Sequence, residues 1–197
     1  MVTQATPLVL ASRSPIRAQM LKQVGLQFSV APSGVDEDAI KQAHQASLPE
    51  LAEALAAAKA AKIASDYPQH LTIGCDQLCV MEDTVFDKPE TQAKAIAQLQ
   101  QLRGERHQQI VGLSLMRGEE EIWRYHSVAE LTMRQLTDAE IKAYIALDEP
   151  LQSCGTYKFE SYGRHLFTHV AGDHDVIKGL PLTDLLAKLH ELGAVSL

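Results

Sequence analysis

Hydrophobic and polar positions along the chain repeat with two different periods, and together they predict its elements. Leu8, Val9 and Leu10 form a short unbroken apolar run, read as a buried strand, which passes straight into Ser-Arg-Ser-Pro. Ser14 followed by Pro15 predicts a helix start, with the serine as N-cap and the proline at the first helical position, where its missing N–H costs nothing. Ile16, Met20, Leu21 and Val24 then recur at helical spacing, and Gly25 closes the helix. A strand feeding a helix leaves free N–H groups and the positive end of the helix dipole at the tip of a sheet, a natural anion site. Ser12, Arg13 and Arg17 would surround it.

The same alternation continues. Residues 26–38 read as a second strand that leaves through a Pro/Ser/Gly turn into an acidic loop, and 47–67 as a long Ala-rich helix opened by a capping box, Ser47 with Glu50. "LTIGCDQLCVMED" reads as a strand bent at its middle, and 89–104 as a helix ending at Gly104. Two longer strands joined by a Gly-containing turn suggest an antiparallel hairpin. Residues 137–147 form another capped helix, Thr137 with Glu140; a strand follows near "HLFTHV", and a closing helix runs from Pro181 to Gly193 with Leu182, Leu185, Leu186 and Leu189 in the core. Strands alternating with helices make the class α/β. With no repeat, low-complexity tract or linker, residues 1–197 read as a single domain.

Composition narrows the function classes. A net charge of −7 argues against a nucleic-acid-binding surface, so any attraction for a small anion must come from a few clustered cations or a metal ion. Three cysteines, Cys75, Cys79 and Cys154, make neither a CxxC pair nor a zinc quartet and read as reduced thiols. No apolar run is long enough to span a membrane, and the start lacks a secretory pattern, so a cytoplasmic protein without membrane partners is the expectation.

Several residues break these patterns. Asp76 interrupts an apolar strand, where a carboxylate needs a partner, a metal ion or water; it is either a structural acid bonded to backbone N–H groups or a metal ligand or general base. Lys59 shares a helix face with Leu51, Leu55 and Ile63, so it is either a lysine snorkelling at the rim or a cation held inside an apolar stripe. Lys88 lies at a strand-to-helix junction and Glu37 in the acidic run "GVDED", and both types of position are usually solvated. Glu160 lies between two glycines in an aromatic-rich loop that could approach a ligand or be an ordinary turn. His165 and His169, four apart on an expected strand, share a face without the geometry of a metal pair. Phosphate-loop, GxGxxG and GxSxG motifs are absent.

Seven blocks in order, "LASRSPIRAQML", "VDED", "LAAAKA", "IGCDQ", "DKP", "GTYKFESYG" and "GLPL", resemble the landmarks of Maf proteins, from about residue 8 to 192. These are nucleoside triphosphate pyrophosphatases, also named for inhibition of septum formation. The resemblance implies a bent mixed β-sheet flanked by helices, two lobes with a central cleft, akin to the inosine triphosphate pyrophosphatases. It implies cleavage between the α- and β-phosphates with Mg²⁺ or Mn²⁺, and a homodimer is compatible with it. By motif position Ser12, Arg13 and Arg17 would cradle phosphate, Lys59 and Lys88 would neutralise the triphosphate, Asp76 would be the catalytic carboxylate and a metal ligand, and Glu37 a second metal ligand. The family commonly carries paired arginines where this chain has Ile16-Arg17. Asp76-Gln77 and Glu160, where many members have Asp-Thr and a later Gln, resemble the branch associated with 7-methyl-GTP more than the one hydrolysing dTTP and UTP, making Gln77 and Glu160 substrate-binding candidates. A non-catalytic nucleotide-binding regulator and a pyrophosphatase for deaminated purines such as ITP are the competing expectations.

Overall fold

The structure, a computed structural model, describes residues 2–197. Its strands are β1 (Thr3–Gln4), β2 (Leu8–Leu10), β3 (Phe28–Val30), β4 (Leu71–Met81), β5 (Thr84–Val85), β6 (Arg106–Arg117), β7 (Glu120–Met133), β8 (Phe167–Ala171) and β9 (Val195–Ser196). Its α-helices are α1 (Pro15–Gln23), α2 (Glu37–Ala43), α3 (Leu48–Ala64), α4 (Gln92–Leu102), α5 (Asp138–Asp148), α6 (His174–Ile177) and α7 (Leu182–Glu191). The main sheet has the order β3-β2-β4-β6-β7-β8, with β5 paired to β4. It is mixed: β2 runs parallel to β3 and β4, whereas β4–β5 and β7–β8 are antiparallel. The class is therefore α/β, a mixed sheet with helices, as the two periods predict.

The chain gathers into two compact units, each discontinuous in sequence: one holds the residues up to Asp76, Val111–Ser127 and Gly179–Leu197, the other Gln77–Ile110 and Val128–Lys178. Strands β4, β6 and β7 contribute to both. No linker marks a change of unit, because each change falls inside a strand or beside a short helix.

In the first unit α3 lies against the sheet with almost no spacing. A Cβ added to Gly74 of β4 would sit 2.1 Å from the Ala56 carbonyl oxygen, and one added to Gly112 of β6 would sit 2.1 Å from that of Ala52. Only glycine admits a helix backbone that close. Ala52, Ala56, Ala60 and Ala64 are all fully buried, so the alanine richness of α3 serves this approach as well as helix propensity. The capping boxes at Ser47–Glu50 and Thr137–Glu140 form as expected.

Five expectations are corrected. The acidic run 36–38 is not a loop: Asp36 caps α2 by accepting from the Ala39 N–H, and Glu37 and Asp38 occupy the first turn, where the helix dipole favours them. Helix α4 starts at Gln92, because Thr91 caps it and its side chain accepts from the Lys94 N–H. In α1 the buried residues are Arg17, Met20 and Leu21, so Arg17 takes the inward place expected of Ile16. Leu186 is only half-buried beside buried Leu182, Leu185 and Leu189. His165 lies in a 3-10 turn (Tyr162–Leu166) and His169 in β8, so the two share no strand. Among the described residues no helix is long and apolar enough to cross a membrane.

Candidate active site

The β2–α1 turn is built as its sequence dictates. Ser14 caps the helix with its side chain accepting from the Arg17 N–H at 3.4 Å, and Ser12 Oγ accepts from the Ser14 N–H at 3.2 Å. Arg17 then turns inward. Its Nε donates to the Gly179 carbonyl at 2.7 Å, and Nη1 donates to Ser12 Oγ at 3.2 Å and to the Cys75 carbonyl at 3.0 Å. The Cys75 thiol donates to the same Gly179 oxygen at 3.1 Å, and burial pushes that thiol's pKa up. Arg17 thus ties α1 to the residue before Asp76 and to the glycine of "GLPL". Arg13, by contrast, is exposed.

Asp76 follows on β4, only 6% exposed. Its partner is Lys59: Nζ donates to Asp76 Oδ1 at 2.5 Å and lies 2.7 Å from Glu37 Oε1. The three residues come from β4, α3 and α2, and the close seating of α3 on Gly74 brings Lys59 to the strand. Burial alone would lower the Lys59 pKa, but the two carboxylates outweigh it and hold the ammonium above its ordinary value. Lys59 is therefore a paired cation inside the site, and among the described residues Asp76 accepts from the lysine and from no backbone N–H of the kind a structural acid would need. One cationic point with two convergent carboxylates is a centre that can bind anionic oxygen through the lysine and a cation through the acids.

The second unit carries the remaining candidates. Gln77 is half-buried, and its Nε2 donates to Gln109 Oε1 at 2.8 Å and to the Ile177 carbonyl at 2.9 Å. Lys88 is exposed between β5 and α4, next to Asp87, whose carbonyl accepts from Gln98 Nε2 at 2.8 Å. Glu160 is exposed in a loop pinned on both sides: the Lys158 N–H donates to Tyr144 Oη at 2.9 Å, and Arg164 Nε donates to the Phe159 carbonyl at 3.1 Å while its guanidinium lies 4.9 Å above the Phe159 ring. Among the described residues, Gln77, Lys88 and Glu160 share no hydrogen bond or ion pair. The sequence reading missed Gln109, a polar residue in a buried strand run, although the pattern that exposed Asp76 marks it equally well.

A family model described as Maf-like protein matches residues 7–192. The chain belongs to the Maf-like family. A nucleoside triphosphate pyrophosphatase of Legionella pneumophila (strain Philadelphia 1) is 41% identical over 195 residues, covering 98% of each chain. One of Rhodopseudomonas palustris (strain BisB18) is 42% identical over 188 residues, covering 94% of this chain and 93% of the relative. A 7-methyl-GTP pyrophosphatase of Rhizobium meliloti (strain 1021) is 38% identical over 193 residues, covering 95% of this chain and 97% of the relative. For a Maf-like protein the "IGCDQ" and "LAAAKA" blocks are two halves of one device, the first placing Asp76 and the second the lysine that holds it.

Proposed function

We propose that this Maf-like protein is a hydrolase that cleaves nucleoside triphosphates between the α- and β-phosphates, releasing a nucleoside monophosphate and pyrophosphate. The observation that carries the reading is the Glu37–Lys59–Asp76 cluster, in a chain that matches named pyrophosphatases along nearly its whole length. Phosphoanhydride hydrolysis needs positioning and charge stabilisation more than covalent chemistry. Asp76 Oδ1 is held by Lys59, which leaves Oδ2 to take the proton of a water that attacks phosphorus. The Lys59 ammonium, charged throughout the physiological range, stabilises phosphate oxygen as the P–O bond to the leaving pyrophosphate breaks.

Ser12, Arg13 and the α1 N-terminus receive phosphate in this reading, and Arg17 holds that turn and Cys75 in register from inside. Lys88 adds positive charge toward the triphosphate; Gln77 and Glu160 face the base. Glu37 and Asp76, whose carboxylates both converge on Lys59 Nζ, are the residues that would hold a divalent cation shared with substrate, beside the ammonium rather than in its place. Mg²⁺ or Mn²⁺ held there would supply neutralisation of phosphate charge. Within the nucleotides, we place the substrate among purines carrying ring N–H groups, 7-methyl-GTP included, since Glu160 is an acceptor suited to them.

Pyrophosphate release from 7-methyl-GTP, GTP, ITP, dTTP, UTP and CTP with Mg²⁺ or Mn²⁺ tests the assignment. Higher kcat/KM for 7-methyl-GTP than for dTTP or UTP supports the finer reading; equal turnover of methylated and unmethylated GTP removes the methyl preference.

A further inference from the structure

A buried chain of polar side chains stands behind Gln77, in the second unit, and the pyrophosphatase reading makes no use of it. Gln109 is fully buried, His107 is 2% exposed and Tyr157 4%. Gln109 Nε2 donates to Tyr157 Oη at 2.7 Å, and Tyr157 Oη lies 3.0 Å from His107 Nε2. Burial pushes the Tyr157 phenol well above its ordinary pKa and the His107 ring down to about 4, so the first keeps its proton and the second stays neutral.

One backbone atom fixes the direction of the chain. The Ile177 carbonyl can only accept, so the Gln77 amide atom 2.9 Å from it is the nitrogen. The second proton of that nitrogen points at Gln109, so the Gln109 atom facing it is the oxygen. Gln109 must then present its own nitrogen to Tyr157, which matches the 2.7 Å contact. Both Gln77 protons are consumed inside the protein. Its Oε1 accepts no hydrogen bond among the described residues and is not one of the buried polar atoms without a partner, so it remains open to a ligand.

We propose that Gln109 and Tyr157 are positioning residues: Gln109, held by Tyr157, takes up the second N–H proton of a Gln77 amide whose polarity the Ile177 carbonyl fixes, so that Gln77 offers only a carbonyl oxygen and selects nucleobases that bring it a ring N–H. The inference deepens the pyrophosphatase reading and rests on it for the substrate. Guanine and hypoxanthine carry that N–H at ring position 1; adenine carries a bare lone pair there, which would face oxygen with oxygen-like repulsion. Without Gln109 the Ile177 carbonyl still holds one Gln77 proton but the other is released, so the amide can also donate to a bare ring nitrogen and the discrimination fades.

The test compares kcat and KM for GTP, ITP, ATP and ribose 5-triphosphate, which has no base, in wild type, Gln109→Leu, Gln109→Glu and Tyr157→Phe. Gln109→Leu is expected to reduce the preference for ITP over ATP about tenfold, through KM, with ribose 5-triphosphate turnover unchanged. Gln109→Glu restores the preference, because a buried neutral carboxylic acid supplies the same acceptor and donor. Tyr157→Phe keeps the ring packing and gives an intermediate loss. A parallel fall for every substrate, ribose 5-triphosphate included, or an ITP-to-ATP ratio untouched by Gln109→Leu, overturns the proposal. If wild type releases no pyrophosphate from any triphosphate, it is the enzymatic reading that falls. The ITP-to-ATP ratio is then taken from calorimetric Kd values on the same variants, and the same two outcomes decide.

Discussion

Lys59 holds two carboxylates with one ammonium, 2.5 Å from Asp76 and 2.7 Å from Glu37, and the side chains of Lys59 and Asp76 are only 11% and 8% exposed. Removing the cation would leave the buried Asp76 carboxylate without its partner and facing the part-exposed Glu37. Lys59→Met is therefore expected to lower unfolding free energy by about 3 kcal/mol, read from a urea midpoint, and to remove turnover as well. A second titration belongs to His107, whose pKa is held near 4 by burial against an ordinary 6.5. Between those values the unfolded chain binds a proton that the folded chain refuses, so stability rises with pH across the window and is lost as pH falls from about 6.5 to about 4. The full effect is on the order of 3 kcal/mol. Urea midpoints at pH 7 and pH 4.5 should fall further for wild type than for His107→Gln; equal falls would mean that the imidazole is not the group responsible.

Gly74 determines how near α3 comes to β4, and with it whether Lys59 reaches Asp76. Gly74→Ala puts a Cβ where the Ala56 carbonyl oxygen stands, so the helix must move outward. A loss of about 1–3 kcal/mol is expected, together with a fall in kcat larger than that of an equally destabilising substitution elsewhere in α3. Such helix and strand placements were legible in the sequence where the signal is local. The capping boxes of α3 and α5, the Ser-Pro start of α1 and the unbroken β2 run each follow from a few adjacent residues. The acidic run at 36–38 misled because a negative cluster has the same composition in a solvated loop as in the first turn of a helix, and only the bond from Asp36 to the Ala39 N–H separates the two. Pairings over long sequence distance, such as Arg17 with Gly179 or Gln77 with Ile177, leave no periodic trace. The resemblance singles out Ser12, Lys59 and Asp76 among its candidates, and Lys59 does meet Asp76, whereas the inward turn of Arg17 and the contact of Tyr157 with Gln109 leave no local trace in the sequence.

The chain as a whole carries a net charge of −7, the wrong sign for an anionic substrate, so the proposed site calls on local positive charge, that of the α1 N-terminus, Arg13 and Lys59, and on the proposed divalent cation. Chelation by EDTA should therefore abolish turnover, and added Mg²⁺ or Mn²⁺ should restore it, measured as pyrophosphate release; undiminished release in EDTA would remove the metal from the account. The most direct test of the central claim is pyrophosphate release by wild type beside Asp76→Asn, with the fold of the variant checked by its urea midpoint and nucleotide binding checked by calorimetry. The account predicts metal-dependent release by wild type and a loss of at least about a hundredfold in kcat for Asp76→Asn, with binding retained, since a general base and its charge are removed together. Release by a folded Asp76→Asn variant at the wild-type rate would contradict it.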